Sequence, residues 1–151
     1  GQNTSSLYNV TGLEFSPDLV NGKTRTTSME NILNDTERGN DKQINCPDNA
    51  AEVTRGTPSY RFLKDGFAVG TGGNMNNPQN YTAACWKAGG PAVTNTDGTI
   101  SAQVSANVEA GFSIIKYTAS ASGGGTFGHG LSKKPEIQWV KNLDASEVCA
   151  V

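Results

Sequence analysis

The sequence predicts an all-β protein, an antiparallel β-sandwich or jelly roll. Three observations carry this. Short alternating segments recur roughly every 8–15 residues, separated by Gly, Asn, Asp and Pro. The chain holds 18 Gly and is rich in Asn, Thr and Ser, residues that suit turns and solvated strand faces and disfavour long helices. One phrase of sequence also occurs twice, the mark of a modular array of β units.

The elements follow in chain order. Val10 to Val20 alternates loosely around Pro17, whose missing N–H argues for a sheet edge or a strand start. Ser28 to Arg38 has the one helix-like spacing (Met29, Ile32, Leu33), but Asn31, Asn34 and Asp35 weaken it, so strand plus turn is expected. Gly39 to Pro58 is polar with few apolar anchors and reads as a long loop. Arg61 to Val69 reads as two short strands around an Asp65-Gly66 turn. Gly70 to Gln79 has almost nothing to bury and is expected on the surface. Asn80 to Trp86 is a buried strand candidate with Tyr81, Ala83 and Cys85 on one face. After the Thr96-Asp97-Gly98-Thr99 turn come the alternation Ile100, Ala102, Val104 and the strongest strand, Phe112 to Thr118. Gly123 to Gly125 is a loop tip. Phe127 to Leu131 and Glu136 to Asn142 are expected to form a further pair of strands.

The repeated phrase runs Thr11-Gly12-Leu13, Pro17-Asp18-Leu19-Val20, Lys23 in its first copy. The second runs His129-Gly130-Leu131, Pro135-Glu136-Ile137, Lys141, at one constant offset. Residues 1–110 are therefore expected to form one sandwich unit. Residues 111–151 are expected to be the opening strands of a second, lying on the same sandwich or on a neighbouring copy. Such an array points to a structural or binding protein rather than a self-contained enzyme.

Composition sets further bounds. A net charge of −2 gives no electrostatic case for nucleic acid or an anionic membrane surface. No apolar run approaches the roughly 20 residues of a membrane-spanning helix. The chain opens with Gly1, which suggests processing or a piece of a longer polypeptide. Cys46, Cys85 and Cys149 are odd in number and irregularly spaced, neither a disulfide framework nor a zinc pattern. They are expected to be reduced, as in a reducing compartment, although one bridge between two of the three stays open.

Chemistry is thinly represented. His129 is the one histidine; its Gly128-His129-Gly130 setting fits a turn residue whose ring bonds locally better than a base or metal ligand. Among the acids, Glu52, Asp65, Asp97, Glu109 and Glu136 could supply a sugar-cleaving pair, but nothing in their spacing brings two together. Asn40-Asp41 and Asp48-Asn49 offer oxygens that make calcium a possible cofactor, yet the regular calcium-loop array is missing. Trp86 and Trp139 are the candidate surface or interface aromatics, able to stack on sugars but more at home in a core or interface. No catalytic, cofactor-binding or metal-ligating residue is assigned.

Several blocks carry a family resemblance. Ala84 to Gly90 (Ala-Cys-Trp-Lys-Ala-Gly-Gly), Thr94 to Ile100, Val104 to Asn107, Gly111 to Thr118, Gly128 to Leu131 and Pro135 to Asn142 are similar to a repeat of marine phage, especially cyanophage, tail-fibre and virion-surface proteins. Gly12 to Val20, Asp35 to Gly39 and Asp65 to Phe67 fit earlier parts of it. The resemblance implies a concanavalin-like or laminin-G-like sandwich on the virion. Asn21-Gly22 stands where the repeat usually continues with Trp and a Lys-containing strand, so the first sheet edge is expected to be altered. The expected function is non-enzymatic: a tail-fibre or capsid-surface unit that assembles as a homo-oligomer, a trimer by analogy, with other virion proteins. Attachment to a host-surface glycan is a further expectation; nucleic acid and membrane are not expected partners. An extracellular lectin-like carbohydrate-binding module and a polysaccharide depolymerase are the alternatives.

Overall fold

The structure, a computed structural model, describes residues 7–46, 48–72 and 75–151. It is all-β and antiparallel, and it divides into two compact units. The first contains the chain up to Trp86 together with Ile137–Val151; the second is Lys87–Glu136. The boundary expected at 110/111 falls in the turn between two paired strands of the second unit.

The first unit is a β-sandwich. Its strands are β1 (Tyr8–Thr11), β2 (Leu19–Thr24), β3 (Asn31–Asp35), β4 (Lys42–Cys46), β5 (Val53–Thr54), β6 (Tyr60–Leu63), β7 (Gly66–Val69) and β8 (Tyr81–Trp86). They form a five-stranded sheet, β5-β4-β3-β2-β8, and a three-stranded one, β1-β7-β6. Between the sheets, Val20 of β2 and Ile32 of β3 meet Tyr60 of β6 and Phe67 of β7, with Met75 closing the cluster. The Tyr60 and Phe67 rings meet edge-on, centroids 5.6 Å apart. Met75 corrects the expectation that Gly70 to Gln79 buries almost nothing; Gly73 and Asn74 lie outside the described residues.

Strand β2 is internal, paired with β3 on one side and the edge strand β8 on the other. Of the two placements Pro17 suggested, the sheet edge is corrected and the strand start holds: Pro17 precedes β2 and costs it no ladder bond. The altered sheet edge expected from Asn21-Gly22 is corrected too, since both residues are paired on either side. Gly22 has a packing reason instead. A Cβ there would land on Tyr60 Oη and 2.8 Å from Met75 Cε. Only a residue with no side chain lets this tyrosine lie across β2.

The long polar loop expected over 39–58 is also corrected, because it contains β4 and β5. Polarity did not exclude a strand, since the buried Gln43 finds partners for both ends of its amide. Gln43, 1% exposed, accepts from Ser59 Oγ at 2.7 Å and donates to Asn45 Oδ1 at 2.6 Å. Asn34 donates to the Lys42 carbonyl at 2.5 Å. The β3–β4 turn is held by Asp35, which accepts from Arg38 N and Arg38 Nε at 2.8 and 2.6 Å. Strand β8 is an edge strand with Thr82, Ala83 and Ala84 exposed, not the buried strand expected; Tyr81 and Cys85 alone reach the core from it.

The expected reduced cysteines are corrected as well: Cys46 and Cys149 form a disulfide, Cα–Cα 5.9 Å, and Cys85 is free. The reason is that the C-terminal segment returns to the first sheet. Trp139 meets Trp86 of β8, the Leu143 carbonyl accepts from Glu52 N at 2.9 Å, and Cys149 reaches β4. These anchors lie at opposite sides of the sheet, so residues 137–151 cross its outer face. That face carries Leu19, Leu33 and Ile44, all less than a tenth exposed.

The second unit is a three-stranded sheet, β11-β10-β9, of β9 (Val93–Asn95), β10 (Ala102–Asn107) and β11 (Phe112–Tyr117). Ala102 and Val104 are buried on β10, and Tyr117 stacks on Phe127 at 4.1 Å. The strand pair expected at Phe127 to Leu131 and Glu136 to Asn142 does not form; Val140 makes a single bridge, to Ala150. The repeated phrase nonetheless folds alike in both copies. Gly12 and Gly130 both take positive φ, 89° and 71°, and both copies then bend at the second and third residues after the glycine and again at the acid, Asp18 or Glu136.

Two outcomes are expected. Opening the Cys46–Cys149 bridge, which spans a sequence separation of 103, should lower unfolding stability by about 4–5 kcal/mol in the loop-entropy limit, measured by denaturant titration with and without reductant. Tyr60→Phe should be neutral or stabilising by up to about 1 kcal/mol, because the buried Tyr60 hydroxyl has no hydrogen-bond partner, whereas Gly22→Ala should cost more than about 2 kcal/mol.

Candidate functional site

Of the residues singled out for chemistry, His129, Asp65, Asp97 and Glu52 take structural roles, while Glu109 and Glu136 are exposed. The His129 ring accepts a hydrogen bond at Nδ1 from Leu131 N, 3.1 Å away, closing its own turn. Asp65 accepts from Gly12 N at 3.1 Å and Glu14 N at 2.6 Å, and so fixes the loop that leads from β1 towards β2. It also stands beside Glu14, whose φ of 63° is the left-handed conformation that side chains avoid. Asp97 accepts from Asn95 Nδ2 at 3.2 Å within its turn. Glu52 pairs with Arg38 at 3.0 Å and, more distantly, with Lys42 at 3.9 Å. Arg38 in turn holds Asp35, forming a largely buried ionic cluster that patterning alone did not reveal.

Among the described residues, no three His, Cys, Asp or Glu side chains come close enough to hold a metal ion. The calcium-candidate loop is used locally: Asp48 Oδ1 accepts from Ala50 N at 3.3 Å, and the Asp41 carbonyl from Arg55 N at 2.8 Å. Burial raises the Cys85 thiol pKa above its ordinary range, which leaves less thiolate for nucleophilic work. Burial, followed by the nearby Cys85 and Tyr81, also pushes the Tyr60 hydroxyl well up, so it stays protonated inside the sandwich. No helix among the described residues is long and apolar enough to cross a membrane.

The structure does bring the two candidate aromatics together. Trp86 ends edge strand β8, opposite Leu19 of β2; Trp139 lies against it, ring centroids 5.7 Å apart at an interplanar angle of 85°. This edge-to-face contact directs the positive rim of one ring at the negative face of the other. Trp139 is 49% exposed and Trp86 half-buried, while Ile137, two residues away, is also exposed. The pair thus serves two ends at once: it pins the C-terminal segment and presents an apolar, ring-bearing patch to solvent. Near the other end of β8 lies a shallow depression lined by Thr26, Thr27, Pro78, Gln79 and Asn80. It is organised by the Gln79 side-chain carbonyl, which accepts from Thr24 Oγ1 at 2.8 Å and Thr27 Oγ1 at 3.2 Å.

The match to a known family spans the whole of this architecture, residues 1–151. The chain belongs to the DUF7483 family. That family is described as a domain of unknown function. No curated protein and no solved structure matches the chain. In this DUF7483 domain, sequence reasoning named both tryptophans, but their meeting depends on the return of the C-terminal segment, and the depression had no sequence signal beyond its polarity.

The Trp pair makes a prediction. Trp139→Ala and Trp86→Ala should be non-additive, with a coupling of about 0.5–1.5 kcal/mol in a double-mutant cycle of unfolding stability. The chain has only 2 Trp, so each single variant should also remove the near-ultraviolet circular dichroism that arises from coupling between the rings.

Proposed function

We propose that this chain is a non-enzymatic structural unit of a phage tail fibre or capsid-surface appendage. In this reading its Trp86–Trp139 patch serves assembly and attachment to a host-surface glycan. The observation that carries the reading is the repeated phrase, which takes the same backbone course at Gly12 and at Gly130. A chain that writes the start of its own sandwich twice is built for arrays. In an array a weak contact, multiplied over copies, holds a cell surface firmly without elaborate chemistry at any one site. The blocks from Ala84 to Asn142 that resemble cyanophage fibre repeats support the same assignment.

The Cys46–Cys149 bridge fits a particle surface outside the reducing cytosol. It equally favours a second reading, an extracellular lectin-like module, in which the half-exposed Trp139 would be a platform for a sugar ring.

Antibody labelling of virions in the electron microscope separates the two. Decoration of fibres or capsids is the expected result; an unlabelled particle alongside specific glycan-array binding would favour the lectin. On such an array, Trp139→Ala is expected to reduce any glycan signal at least about tenfold, as loss of a stacking ring does. A fall in the viscosity of a polysaccharide solution would instead indicate a depolymerase and contradict both readings.

A further inference from the structure

We infer that β8 is a self-pairing edge: two copies of this chain join their five-stranded sheets through antiparallel β8–β8 contact about a two-fold axis at Ala83. The inference deepens the assembly half of the proposed function and rests on no phage origin.

Backbone direction along β8 decides which groups face away from the sheet. Asp18 N donates to the Trp86 carbonyl and Arg25 N to the Asn80 carbonyl, both at 2.8 Å. The even-numbered residues of β8 therefore turn their backbone groups towards β2. In an extended strand the alternate residues point the other way, so Ala83 and Cys85 direct N–H and C=O outward from the edge. An outward row of this kind is a template for another strand.

Native edges are usually guarded by charge, proline or brevity. Four of the other edges are: β5 has two residues, β9 three, β6 carries Arg61 and β11 carries Lys116. The remaining edge, β1, is shorter than β8, at four residues. Strand β8 is six residues with no charge and no proline (Tyr-Thr-Ala-Ala-Cys-Trp), and its middle residues are exposed and small.

A second copy is the occupant that fits. With the axis at Ala83, Ala83 faces its own counterpart and exchanges two hydrogen bonds with it. Thr82 then stands opposite Ala84 of the other copy, and Trp86 opposite Asn80. The two-fold thus carries each exposed Trp86–Trp139 patch to the end of the neighbour's β8 that holds the depression at Pro78, Gln79 and Asn80. The strand is self-complementary about this axis: small uncharged side chains, Thr82 and Ala84, meet twice by a single symmetry operation, and no like charges are opposed. The resulting assembly has even-numbered copies, in contrast to the trimer expected by analogy.

The test is native mass spectrometry and sedimentation of the oxidised full chain with two charge variants. One carries Thr82→Lys and Ala84→Lys, the other Thr82→Glu and Ala84→Glu, all at exposed positions. Wild type is expected to dimerise. Each variant alone should bind itself at least about 100-fold more weakly, because like charges fall opposite each other across the axis. An equimolar mixture should recover a heterodimer, since lysines then face glutamates. Recovery also shows that the variants remain folded. The inference is overturned by a wild type that stays monomeric at every accessible concentration, by trimers with no even-numbered species, by variants that dimerise as well as wild type, or by a mixture that does not pair. A failed pairing leaves the virion-labelling result untouched, so the two readings fall separately.

Discussion

The sandwich depends on a sheet that is apolar on both faces. An antiparallel sheet commonly buries one face and leaves the other in water. Here Val20 and Ile32 point to one side of the five-stranded sheet, and Leu19, Leu33 and Ile44 to the other, and all are buried. Each face therefore needs a cover. The inner one is the three-stranded sheet, brought close by Tyr60 lying across Gly22. The outer one is the segment 137–151, which has no sheet of its own. It is held by a tryptophan pair, a backbone bond to Glu52 and the Cys46–Cys149 bridge. The disulfide and the ring contact are thus consequences of a single requirement, that an irregular segment must stay on an apolar face.

This requirement also explains what becomes of the second copy of the repeated phrase. In the first copy the phrase leads into β2, flanked by β3 and β8. In the second, the same opening leads into Ile137 to Lys141, where Val140 bridges Ala150 and no flanking strands form. Local sequence suffices to set the positive-φ glycine and the bends that follow it. It does not suffice to make a strand, because a strand exists only when a neighbour satisfies its backbone. Relieved of a place in a ladder, the second copy serves as the cover.

The same distinction marks how far the sequence could be read. The fold class was legible, since Arg61 to Val69 and Phe112 to Thr118 carry alternation and turn residues strong enough to place β6, β7 and β11. The strand-plus-turn reading of Ser28 to Arg38 followed from residues that oppose a helix. Strand β4 was not legible, because Gln43 is buried through its amide bonds to Ser59 and Asn45, partners that composition cannot reveal. The disulfide was hidden for a related reason: nothing in the spacing of three cysteines tells that Cys149 returns to β4. Trp86 and Trp139 were identifiable as candidates by ring size alone, while their edge-to-face contact is a product of tertiary structure.

The cover itself is directly measurable. Solvent paramagnetic relaxation of methyl signals, recorded on the full chain with the bridge intact and then reduced, compares the two faces of the sheet. The account predicts that with the bridge intact the methyls of Leu19, Leu33 and Ile44 are shielded as fully as those of Val20 and Ile32. Reduction should expose the first set while the second stays shielded. Outer-face methyls already open to solvent in the oxidised protein, or two sets that respond to reduction alike, would contradict it.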